Sequence, residues 1–125
     1  MELTKINYVD EAEAVVKKLE KDKWDNMKLT TSKIRNILSM VSGIYNDVVH
    51  LSEDTLPEEI MERIQYLKMR FAYEAGREGA VRDLVNKARI REELDGIGNS
   101  KEKCIIFCRY MESIVAFHKY YGGRD

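Results

Sequence analysis

Proline is nearly absent from this chain: it occurs once in 125 residues, at position 57. Glycine occurs seven times, mostly near the ends of apolar-periodic stretches. Long periodic stretches with so few breakers favour an all-helical protein. There are two cysteines, Cys104 and Cys108. That is no disulfide framework, and one helical turn apart they read as reduced thiols in a cytoplasmic protein. No apolar run approaches the roughly 18 residues that a membrane span needs. Met1 to Lys18 is acidic and helical rather than basic then apolar, so it does not read as a signal peptide. Net charge is nearly absent as well, with 21 Lys and Arg against 22 Asp and Glu. This excludes a uniformly basic nucleic-acid glove but leaves room for a local basic face.

Catalytic constellations are missing too. The chain has two histidines. His50 sits at an expected helix end, where it suits the dipole. The run Gly96-Ile97-Gly98-Asn99 lacks the flanking strand and the Lys-Ser/Thr pair of a phosphate loop. No Ser-His-Asp or Cys-His nucleophile arrangement is legible. Cys104, Cys108, Glu112 and His118 can be assembled on paper into a metal site. Their spacing is not Cys-x-x-Cys, however, and the helix that carries them reads as core. The expectation is a protein that is not an enzyme, with no catalytic residue, no metal and no cofactor.

What is present is 44% hydrophobic and 34% charged, which excludes a disordered tail. A length of 125 residues fits one domain with a real core. The spacing predicts about five helices. The first runs from Tyr8 to Lys23, followed by a polar loop over Lys21 to Lys28 that carries Trp24. The second starts at Thr30 or Thr31, either a good N-cap, and ends near His50. Its core face is Ile34, Ile37, Leu38, Val41, Ile44, Tyr45 and Val48. The third runs from Pro57 to Gly76 and buries Ile60, Ile64, Leu67, Phe71 and Ala75. The acids around Pro57 suit a helix start. The fourth runs from about Ala80 to Leu94. The fifth, Lys101 to Tyr121, is capped by Ser100 and closed by Gly122 and Gly123. It is apolar on most sides, as a central helix or one with a partner would be.

The near-zero net charge conceals a division. Residues 52–62 hold five acids and no base, whereas residues 63–91 hold eight bases and three acids. Arg63, Tyr66, Arg70, Tyr73 and Arg77 are spaced three, four, three and four, which keeps them in a strip of about 80° on the third helix. Guanidiniums take phosphates bidentately and aromatics offer stacking faces, so the strip suits a polyanion with flat bases. Arg82 and Arg89 share a face two turns apart, and Lys33 and Arg35 stand at the second helix start, near free backbone N–H groups. Arg and Tyr on a helix flank also serve simply to cover the core edge, or to pair with acids such as Glu74 and Glu78. Both readings stand on the pattern alone. The apolar excess of the last helix, with Tyr110, Tyr120 and Tyr121, suits a protein contact or merely caps the edge of the bundle, and a helical protein–protein adaptor, taking a partner helix beside the last helix through Tyr120 and Tyr121 and no nucleic acid, is the alternative function.

Three segments carry a resemblance. They are Leu29-Thr30-Thr31-Ser32-Lys33-Ile34-Arg35, then Tyr66 to Arg77 (YLKMRFAYEAGR), then Phe107-Cys108-Arg109-Tyr110-Met111-Glu112 with Val115-Ala116-Phe117-His118. Their order and character resemble the small α-helical subunit of type III-A CRISPR effector complexes, the Csm complexes. The resemblance covers 29–125 as a family-like core and leaves 1–28 as a variable N-terminal helix and loop. It implies a single helical bundle without a catalytic centre that acts in antiviral defence. It implies partners as well: copies of itself stacked in an inner filament, the backbone and large subunits, and the guide RNA and target RNA touched along their sugar–phosphate backbones. Carried over by position, Lys33, Arg35, Arg70 and Arg77 are the nucleic-acid-binding candidates, with Arg82 joining them. Arg109 lies in the third segment, either as a further cation or as a buried partner of Glu112.

Overall fold

The computed structural model describes residues 2–124 and forms from them six α-helices: α1 (Tyr8–Lys18), α2 (Thr31–Val48), α3 (Glu58–Arg77), α4 (Gly79–Lys87), α5 (Ile90–Ile97) and α6 (Lys101–Tyr120). The expected all-α class holds, with six helices where about five are predicted. The difference lies in the expected fourth helix, which the structure divides. Arg89 adopts a left-handed backbone, φ 55°, ψ 41°, between α4 and α5. The break re-aims the chain, so that Val81, Leu84 and Val85 of α4 and Ile90, Leu94 and Ile97 of α5 all reach the core. The first helix is also shorter than its periodicity suggests. It ends at Lys18 because the next residue, Leu19, turns extended to bury its side chain. The Glu20 N–H then donates to the Asp83 carboxylate of α4 at 2.8 Å.

The helix starts follow their local chemistry. Thr30 caps α2 by accepting from the Lys33 N–H, and Ser100 caps α6 by accepting from the Lys103 N–H. Pro57 immediately precedes α3, whose first turn carries Glu58 and Glu59 at the positive end of the dipole. Between α1 and α2, Lys21 and Met27 pair as an isolated antiparallel bridge, and Trp24 stands at the loop tip, 70% exposed. The Lys23 ammonium rests over its ring.

α6 is the central helix, packed by α1, α2 and α5. It buries Cys104, Phe107, Cys108, Met111 and Ile114. α1 runs parallel to it: Lys5 just ahead of α1 pairs with Glu102, and Glu13 accepts from the Tyr121 hydroxyl. α2 runs antiparallel to it, with Lys101 donating to the Leu51 carbonyl and the Thr31 N–H to the Arg124 carbonyl. α3 lies along the other side of α2 and also contacts α4 and α5. One apolar core, from Ala12 to Ile114, connects all six helices. Tyr110 belongs to it. Its ring is buried and its hydroxyl donates to the Ala88 carbonyl at 3.0 Å, so it is not a surface contact of the last helix. Burial pushes its phenol well above the usual range. Tyr120 and Tyr121 remain exposed.

Candidate nucleic-acid interface

α2 and α3 pack antiparallel, which sets the geometry of the basic face. At one end Asp47 of α2 meets Arg63 of α3, and at the other Lys33 of α2 meets Glu78, just past α3, at 3.1 Å. Between them a shallow groove of about 180 Å³ is lined by Met40, Ile44, Arg63, Tyr66, Leu67 and Arg70. The strip expected on α3 therefore lies on the rim of the α2–α3 seam, centred about 110° from the buried stripe. Tyr66 and Tyr73 are 61% and 53% exposed, so the aromatic members do face outward.

The candidate cations are not equally placed. Arg70 and Arg77 converge on one carboxylate. Arg70 Nη2 is 3.1 Å from Glu74 Oε2, and Arg77 Nη1 is 3.5 Å from Glu74 Oε1. Both guanidiniums also lie against the Tyr73 ring, 5.6 and 5.5 Å from its centroid. Lys33 is drawn to the same region by Glu78. Arg82 follows one turn later on α4, its backbone N–H donating to the Glu78 carbonyl, and its side chain is exposed with no ion pair to a described residue. Lys33, Arg70, Arg77 and Arg82 are thus grouped about the α3–α4 junction. Arg35 is exposed as well, but two residues on from Lys33 it points about 200° away around α2 and does not share that face.

Pairing of these cations with Glu74 and Glu78 accompanies their exposure, so both features read from the pattern are present together. Tyr73, with two guanidiniums against it, supports them. Among the described residues no ring or cation contact engages Tyr66, which stays largely exposed on the groove's rim. The residue that sequence reasoning underrated is Glu74. It is buried, at 6% exposure, among Phe71 and Ala75. The signal was available: position 74 follows 67 by seven and 71 by three, on the apolar stripe itself.

Arg109 proves exposed rather than a buried partner of Glu112. It lies beside the phenols of Tyr45 and Tyr8, whose hydrogen bonding raises its already high pKa further. Cys104 and Cys108 are buried with their thiols in contact, and that contact with burial pushes the Cys108 thiol far up. His118 is engaged elsewhere, its Nε2 2.7 Å from the Leu29 carbonyl oxygen. Among the described residues no three His, Cys, Asp or Glu side chains are placed to hold a metal ion, and no helix is long and apolar enough to cross a membrane.

Comparison with known proteins gives one consistent result. The family model described as Csm2 Type III-A matches residues 4–124. A protein of Streptococcus thermophilus named "CRISPR system Cms protein Csm2" is 46% identical over 123 residues, covering 98% of either chain. One of the same name from Mycobacterium tuberculosis (strain CDC 1551 / Oshkosh) is 38% identical over 125 residues, covering 100% of this chain and 99% of its own. Another from Enterococcus italicus is 39% identical over 99 residues, covering 78% of this chain and 71% of its own. The matched span starts at residue 4, so it takes in α1 and the Trp24 loop as well as the three segments.

Proposed function

The chain belongs to the Csm2 type III-A family of CRISPR-system proteins, and on that premise we propose that it is the non-catalytic small subunit of a type III-A effector, stacking as an inner filament and holding guide and target RNA by their backbones. The observation that carries the RNA reading is the grouping of Lys33, Arg70, Arg77 and Arg82 about the α3–α4 junction of a chain whose net charge is −1. Cations set for phosphates, with no side-chain pattern set for base edges, bind without sequence preference. Exposed Tyr66 adds a face on which any base can stack. One copy supplies a few cations, and repetition along a filament multiplies them, so weak single contacts add up to stable binding. Head-to-tail stacking is a heterologous contact, which can grow without closing.

The test is binding of labelled target RNA by the ribonucleoprotein reassembled with this chain, over a salt series. Arg70→Ala with Arg77→Ala strips buried Glu74 of both its cations, so the variant is first shown by circular dichroism and co-purification to fold and assemble; it should then weaken RNA binding about tenfold or more at moderate salt and flatten its salt dependence. Unchanged binding and slope would overturn the proposed face. A helical adaptor without a nucleic-acid role predicts the reverse: loss of partner subunits on substitution of Tyr120 and Tyr121, and no effect of the arginines.

A further inference from the structure

We infer that Glu74 is a positioning residue: its buried carboxylate holds Arg70 and Arg77 as a preformed two-guanidinium site for RNA phosphates. The inference rests on the RNA-backbone reading above and deepens it. Three observations carry it. Glu74 sits on the core-facing stripe of α3, where an apolar side chain would pack without the cost of desolvating a charge. Its two oxygens are divided between two cations, Oε2 to Arg70 and Oε1 to Arg77, so neither is wasted. Both guanidiniums are braced a second time against the ring of Tyr73, from three residues before and four residues after it.

The consequence follows from the chemistry of arginine. A guanidinium presents five N–H donors in a rigid fork. Each of these two is held through one nitrogen by Glu74, and the side chains of Arg70 and Arg77 remain 37% and 53% exposed. The other donors are left for a ligand. A free surface arginine loses rotamer entropy when it grips a phosphate. An arginine already held from behind loses less. The cluster keeps one net positive charge, two guanidiniums against one carboxylate. Glu74 therefore trades charge for order: it lowers the attraction of the site at long range and sharpens its grip at contact.

That trade makes the test decisive in sign. Glu74→Gln preserves shape and an acceptor oxygen while making the chain one unit more positive. If Glu74 merely neutralises its neighbours or fills the core, RNA binding by the reassembled complex strengthens or stays unchanged. If it positions them, binding weakens about fivefold despite the added positive charge. The loss should disappear in the Arg70→Ala, Arg77→Ala background, where there is nothing left to position. Arg70→Lys with Arg77→Lys is the second variant. It keeps both charges at exposed sites but removes the fork, and should weaken binding to a similar degree. Equal or tighter binding by Glu74→Gln, or full activity of the double lysine variant, would overturn the inference. Those outcomes are distinct from failure of the RNA face itself, which would show as no effect of the double alanine variant. If Glu74→Gln does not fold, full binding by the lysine variant still overturns the inference.

Discussion

His118 and Gly123 show how tightly a single residue can be specified here. The His118 ring is buried, and its Nε2 donates to the Leu29 carbonyl, an acceptor with no proton of its own. Gly123 returns over the ring, its N–H donating to the His118 carbonyl at 2.7 Å. A Cβ on Gly123 would lie 2.1 Å from His118 Cε1, inside any real contact distance. The ring is fixed by its bond to Leu29, so the tail would have to lift. Gly123→Ala should therefore cost about 1–3 kcal/mol, read as a lowered urea midpoint with an unchanged slope. The same lift would break the Arg124 carbonyl contact to the Thr31 N–H and loosen the start of α2, where Lys33 stands. Neither glycine signals this role in the sequence. Gly122, at φ 91°, is the turn glycine that composition leads one to expect. Gly123 is needed for closeness, which only packing reveals.

At the scale of the element, the division of α4 from α5 is the informative one. The core stripes of α2 and α3 were legible because each follows one uninterrupted period, and the central place of α6 because it is apolar on most sides. The caps Thr30 and Ser100 were legible because capping chemistry is local. The break at Arg89 was not, because the left-handed position itself holds no glycine or asparagine: periodicity alone carries a helix straight through. The competing force is burial of Ile90, Leu94 and Ile97, which outweighs the strain of a left-handed arginine. The Arg89 side chain meets Glu92 at 3.7 Å with both partners exposed, and that pair contributes little. Arg89→Gly should then stabilise the protein by about 1 kcal/mol and raise its melting temperature by a few degrees, measured by calorimetry. A drop in melting temperature would mean that the Arg89 side chain matters more than its backbone. The candidate site divides in the same way. The strip on α3 was legible as spacing along one helix. The approach of Lys33 to Glu78 was not, since it depends on the antiparallel register of α2 and α3.

For the whole molecule, balanced composition and a basic face are reconciled by segregation. The acids of 52–62 lie just before and within the first turns of α3, and the cations of 63–91 run from its second turn into α4 and α5. The two ends of the α2–α3 seam are stitched by opposite pairs, Asp47 with Arg63 and Lys33 with Glu78. The parallel docking of α1 on α6 adds something that a map of charges does not contain, an order of events in time. Tyr121 and Glu13 are 108 positions apart, whereas α3 and α4 are separated by a single residue. Closing the longer loop costs more entropy before any contact rewards it. The α3–α4 corner, which carries Arg70, Glu74, Arg77 and Arg82, is thus free to form early, and α1 joins a bundle already built. In refolding followed by pulse-labelled hydrogen exchange, the amides of the α3–α4 corner should therefore gain protection before those of α1. The basic face would then be complete before α1 seals the bundle.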